Sequence, residues 1–276
     1  MYEVSYSANW VYVKYTGLPS YAIGPWFQPD GVTPGTIMPA TQSVIRRFPR
    51  TPTVPAATAK SSTAAGTSGI FVNGVHIFIN LDGQAWNGSA IVGGAQHTNG
   101  TYYWHRVAPV AESYNFDYSL AHSNPAGAFH NHQNPIALRY QLGDHVDYNS
   151  STKNYSENAA AVTAHSPILG YAHDGYPIYG PYGYSTATNA GSCLRRMVSG
   201  YVKRNGGTTG VDTVTSSTTT MPAWYLRYRT NHALGGTTNP VSVARSANTT
   251  TYPIGTFAQD YSYLGDLIKT GTTYYA

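Results

Sequence analysis

Residues 129 to 132 read Phe-His-Asn-His. In an extended strand, side chains at i and i+2 leave the same face, so His130 and His132 present two imidazoles in one direction. Neutral imidazole is a common ligand for copper, zinc and nickel, and two ring nitrogens so placed can converge on a single ion. Further donors are needed to hold it. Asp117 and His122 precede the pair in FDYSLAHSNPAGAFHNH, where Asn124-Pro125-Ala126-Gly127 reads as a turn, so the two segments are expected to fold back as neighbouring strands. His122 is then either a third ligand or a cap on the turn, and Asp117 either a ligand or an acceptor for backbone amides.

A second polar group lies in HSPILGYAHDGYPIYGPYGY, residues 165 to 184, where His165, His173 and Asp174 sit among Gly and Pro that hold the backbone to a tight path. His165 and Asp174 are candidates to complete or orient a metal site, a local turn before Gly175 being the other reading of Asp174. The tyrosines of this segment are expected to pack. His145 and Asp147 are again two apart, in a polar stretch that reads as solvent-exposed; EF-hand spacing is absent and calcium is not expected. No Gly-x-Ser-x-Gly elbow occurs, and Cys193 falls outside any Cys/His protease signature. A glycosidase pair such as Glu112 with Asp117 would need a spatial separation that sequence does not supply.

The elements that must position these groups read as strands and turns. The start alternates Tyr2, Val4, Tyr6 and then Val11, Val13, Tyr15 around a break at Ala8-Asn9. Gly69 to Ile79 reads as a hairpin about Asn73-Gly74, residues 49 to 69 as an internal linker, 83 to 100 as an exposed loop, 203 to 220 as a polar loop, and 221 to 230 as a helix or a strand. No repeat of 20 to 50 residues is visible, which argues against solenoids and propellers.

Composition agrees. Of 276 residues only 10% are charged, while 25 Tyr, 28 Gly and 17 Pro favour strands and tight turns over helices. The net charge of +4 is thin and scattered, so no nucleic-acid groove is expected. A single cysteine excludes an intrachain disulfide and Cys-rich zinc modules, and no stretch is long and apolar enough for a membrane span.

The two His-bearing segments resemble the YHYH-domain family. The namesake Tyr-His-Tyr-His falls on Phe129-His130-Asn131-His132 and the second hallmark on HSPILGYAHDGYPIYGPYGY, and similarity continues through VNGV, RRMVSGY and YPIGTFAQDYSYLGDL. Both histidines are kept and both tyrosines replaced, which leaves function with the imidazoles and packing with the opposite strand face. The resemblance implies an exported protein, secreted or periplasmic, whose leader is not part of this chain, with metal binding implied by the His-rich pattern and activity largely unassigned. Relatives continue past the LGDLIKTGTTYY region, so a C-terminal segment is expected to be missing, and an unpaired sheet edge would invite a homo-oligomer or a second chain.

The expectation is therefore a single domain over residues 1 to 276, mainly β, built as an antiparallel β-sandwich or barrel-like sheets with long loops and little helix. Its metal site has His130 and His132 as the core pair, His122 as third ligand, and Asp117, His165 or Asp174 completing or orienting it. The thiol-free, His-rich donors and an oxidising location favour a divalent copper ion over zinc. The alternatives are a metal-dependent hydrolase or copper oxidoreductase acting on an extracellular polymer or small molecule, and a structural or adhesive surface module without metal.

Overall fold

The computed structural model describes residues 3–56, 66–93, 104–160, 162–204, 245–246, 250–263, 268–270 and 273–275. In chain order its strands begin with β1 (Glu3–Tyr6), β2 (Trp10–Tyr15), β3 (Val44–Pro49), β4 (Thr67–Phe71), β5 (His76–Phe78), β6 (Leu81–Trp86), β7 (Ile91–Gly93) and β8 (Trp104–Val107). After a short helix α1 (Ala108–Ala111) come β9 (His122–Ser123), β10 (Phe129–Asn131), helix α2 (Ile136–Gln141), β11 (Val146–Asn149), β12 (Asn154–Glu157), β13 (Ile168–Ala172) and β14 (Pro177–Tyr179). The series ends with β15 (Tyr182–Tyr184), β16 (Leu194–Arg196), β17 (Tyr201–Lys203), β18 (Tyr261–Tyr263), β19 (Ile268–Thr270) and β20 (Thr273–Tyr275). The fold is mainly β, in several sheets with little helix, and no sheet closes into a barrel among the described residues.

The chain divides into two compact units. The first comprises Met1–Thr53, Gly66–Ile79 and Glu112–Met197 and holds every residue singled out above as a metal-site candidate. Its centre is a six-stranded sheet of order β14-β13-β4-β5-β10-β9, in which β5 and β10 run parallel and the other neighbours antiparallel. Ile70, His76, His130 and His122 are successive register partners across β4, β5, β10 and β9, so their side chains stand in one row on one face. Val13, Tyr15 and Phe48, from the three-stranded sheet β1-β2-β3, form a buried cluster with Ile70 beside that row. Phe71, Val75, Ala121, Phe129, Leu138 and Leu169 make the other core, which places Phe129 opposite its neighbour His130.

Two local features shape this sheet. A Cβ on Gly170 would collide with the Ile70 carbonyl oxygen, so glycine is what lets β13 close on β4. The Asn73-Gly74 corner is formed, with Gly74 at φ 90°, but Phe71 N donates to Val75 O and Gly74 N to Phe71 O, so the loop is longer than a two-residue turn. On α2, Arg139 is fully buried and donates to Asp144 Oδ2 at 2.7 Å, Asn134 Oδ1 at 3.0 Å and Glu157 Oε1 at 2.6 Å, tying the helix to β12.

The second unit comprises Val54–Ala65, Asn80–Ala111 and Val198–Ala276. Its sheet β7-β6-β8 buries Trp104 edge-on against Phe257 at 6.1 Å, and a buried ion pair joins Arg245 Nε to Asp260 Oδ1 at 2.7 Å. Residues 83 to 93 are a hairpin rather than the expected exposed loop. Asn87 Oδ1 accepts the Ser89 and Ala90 amides and Gly88 takes φ 102°, so Asn87-Gly88 is a turn that folds β7 back onto β6. Residues 94 to 100, 57 to 65 of the expected linker, 205 to 220 of the polar loop, and 221 to 230 lie outside the described residues.

Candidate metal centre

The expected turn at Asn124 to Gly127 is present. Asn124 Oδ1 accepts the amides of Ala126 and Ala128 at 3.0 Å, Gly127 has φ 76°, and β9 pairs antiparallel with β10 so that His122 lies opposite His130. His132 follows two residues after His130 and turns back toward it. Ring nitrogens of His122, His130 and His132 all lie within 4.8 Å of one another, and the Nε2 atoms of His130 and His132 are 2.9 Å apart.

Hydrogen bonds fix the tautomers of that pair. His130 Nδ1 lies 2.8 Å from the Ala128 carbonyl oxygen and His132 Nδ1 2.5 Å from that of Ile79. A carbonyl only accepts, so each Nδ1 carries the proton and each neutral ring is left with a bare Nε2 lone pair. Neither Nε2 can then donate to the other. This is the arrangement of metal-bound histidines, whose second nitrogen is anchored to a backbone carbonyl. His122 Nε2 is buried without a hydrogen bond, and its Nδ1 is 3.4 Å from the side-chain amide of Asn115.

Burial keeps the rings neutral. Desolvation, with repulsion from its two neighbours, holds His130 down to about 2; His122 is held to about 4 by burial and then by His132; His132 is lowered by burial. Phe78 stacks on His130 at 3.8 Å, and Phe116 lies edge-on to His122 at 5.1 Å and stacked with His132 at 6.3 Å. The walls are therefore apolar.

A fourth donor comes from outside the two hairpin strands. Glu112 Oε2 lies 3.3 Å from His132 Nε2 and 3.5 Å from His122 Nε2, and its side chain is the most exposed of the four, at 25%. Sequence gave it weight only as half of a glycosidase pair. It is one of three glutamates in the chain, and its segment carries no pattern that aims it at the histidines. His76 is the other residue that was missed: it stands beside His130 in the row, buried, with Nδ1 3.4 Å from the Tyr15 hydroxyl.

The remaining candidates are placed elsewhere. Asp117 is buried and accepts hydrogen bonds from Gly24 N, Ser119 N, Ser119 Oγ and Ala121 N, at 2.6 to 3.2 Å. It is the backbone acceptor of the two readings, stapling the loop that delivers His122, although burial raises its pKa. His165 donates from Nδ1 to Ser166 O at 2.7 Å and packs its ring against Tyr179 and Tyr184. Asp174 sits in an exposed turn and accepts the Tyr176 amide at 3.3 Å. Neither belongs to the histidine cluster.

Asn131, on the opposite face of β10, is fully buried and donates from Nδ2 to the carbonyls of Ser119 and Leu120, at 3.1 and 2.9 Å. Asn131 thus pins from one strand face the loop whose next residues lead to His122, while His130 meets His122 on the other. The model of the YHYH protein family matches residues 46–272. The chain belongs to the YHYH protein family. No curated protein and no solved structure matches it. In this YHYH protein His130 and His132 converge, while their neighbours Phe129 and Asn131 serve the core and the loop staple.

Proposed function

We propose that this YHYH protein binds one divalent transition-metal ion through His122, His130 and His132, with Glu112 as the fourth donor. The carrying observation is the pair of Nε2 atoms 2.9 Å apart, both made acceptors by their Nδ1 hydrogen bonds. Acceptors facing acceptors in a dry pocket repel, and with protonation suppressed a cation is what makes the arrangement favourable. Two nitrogens about 2.0 Å from one tetrahedral ion stand about 3.3 Å apart, close to the spacing here. Three imidazoles and a carboxylate favour copper over zinc by the usual order of divalent affinities. Cysteine takes no part: Cys193 is exposed and remote in sequence from the cluster.

Catalysis at the same site is the second reading, favoured by the partial exposure of Glu112. Glu112 is the side of the cluster nearest solvent, although its Oε2 is buried, and a bound ion there would supply Lewis-acid or redox chemistry. Export, and association through the half-exposed edge strand β14 of the central sheet, extend the proposal, the second supported by the sheet order.

Elemental analysis of the purified protein, reconstituted with copper or zinc and freed of excess, tests the reading. One ion per chain is expected, falling below about a tenth of that in a His130→Ala, His132→Ala variant with an unchanged circular dichroism spectrum. A folded parent that retains no metal would refute it.

A further inference from the structure

A second cleft, of about 270 Å³, in the first unit is lined by Pro25, Phe27, Phe116, Tyr118, Asn154 and Tyr155, among others, and meets the histidine cluster only through Phe116. Its chemistry is unlike that of the histidine cluster. Aromatic and proline rings form the walls, and no lysine or arginine lines it. The one carboxylate on the lining, Asp117, is committed to four hydrogen bonds with Gly24, Ser119 and Ala121. The Tyr118 and Tyr155 hydroxyls and the Asn154 side-chain amide make no hydrogen bond within the chain among the described residues, and Tyr118 is 40% exposed. Such a lining offers ring faces and neutral donors and acceptors, and little to a charged ligand.

The aromatic surface continues beyond the cleft. Tyr155 is the cross-strand partner of Tyr148, with ring centroids 4.7 Å apart, and both lie 5.6 Å from Tyr140, which is 44% exposed on α2. A pocket of one-ring size that opens onto a row of tyrosines suits a chain of rings better than an isolated small molecule. Pyranose rings match it: their axial C–H faces lie on aromatic rings, and their hydroxyls take the neutral polar partners at the edge. We propose that this cleft and the Tyr140-Tyr148-Tyr155 row bind an uncharged polysaccharide, one sugar residue seated between Tyr118 and Tyr155.

This does not depend on the metal reading, so the two fail separately. Calorimetric titration of the full chain, with and without bound copper, with β-1,4-linked glucose and N-acetylglucosamine hexasaccharides is the test. Saturable binding of at least one is expected in both metal states, weakened about tenfold or more in Tyr118→Ala and in Tyr155→Ala. Tyr155→Phe, which keeps the ring if the alanine variant is misfolded, should retain most of the affinity, and Tyr6→Ala, on another sheet, all of it. Failure of both oligosaccharides to bind, or binding that survives loss of both rings in a folded double variant, would overturn the proposal. So would saturable binding of phenol with none of either sugar.

Discussion

His130 and His132 point their Nε2 atoms at each other across 2.9 Å while their Nδ1 atoms are held by the carbonyls of Ala128 and Ile79. The first carbonyl lies only two residues before His130. The second lies 53 residues away, just after β5. One local and one long-range hydrogen bond therefore force two lone pairs together, and the metal-free protein carries that repulsion as a cost of the site.

Relieving it should separate stability from binding. In His132→Gln the new amide can donate to His130 Nε2, so the metal-free protein should change by less than about 1 kcal/mol in urea unfolding despite the lost Ile79 contact. Metal should stabilise the parent and leave the variant unmoved. A variant that unfolds far more readily than the parent without metal would show that the ring is there for packing.

The metal-free protein should lose stability as pH falls from 7 to 5. His122 and His76 are held to about 4 and His130 to about 2, each chiefly by burial, whereas in the unfolded chain they titrate near 6.5. Below that unfolded value the unfolded state binds more protons, so folding weakens until the folded values are reached. Urea midpoints at pH 7, 6 and 5 should descend, by an amount worth at least about 2 kcal/mol overall. A flat profile would mean that these rings are protonated, or solvated, in the folded protein.

Asn131 should matter to the site from the far side of its strand. Asn131→Leu removes both bonds to the Ser119 and Leu120 carbonyls and leaves them buried, costing about 1–3 kcal/mol. Because that loop delivers His122, metal affinity should fall as well, by about tenfold or more. Unchanged affinity in the folded variant would show that β9 is held in register by β10 alone.

Arg139 tests the scaffold. Arg139→Met strands the buried Asp144 carboxylate, and Arg139 and Asp144 side chains are both fully buried, so a loss of about 3–5 kcal/mol is expected in denaturant unfolding. Adding Asp144→Asn, which removes the stranded charge, should recover part of the loss, and a double-mutant cycle measures the coupling.

His130 and His132 converge, as their spacing led one to expect, but His132 lies in a bend just past the end of β10, so the two-residue period of a strand is not what places it. The approach of His122 follows from Asn124 and Gly127, whose types demand a turn, and was legible in the sequence. So was the mainly β character, since so many tyrosines, glycines and prolines leave little helix-forming chain. Local rules end there. Which strand lies beside β10 is decided by packing, and it was the parallel pairing with β5 that brought His76 into the row and the Ile79 carbonyl to His132. Glu112 reaches the cluster through a contact that no spacing encodes, whereas Asp117 is held mostly by its own neighbours Ser119 and Ala121, the acceptor role its sequence allowed, with only the Gly24 amide coming from afar: a distant partner is set by where the backbone beneath a side chain has been carried.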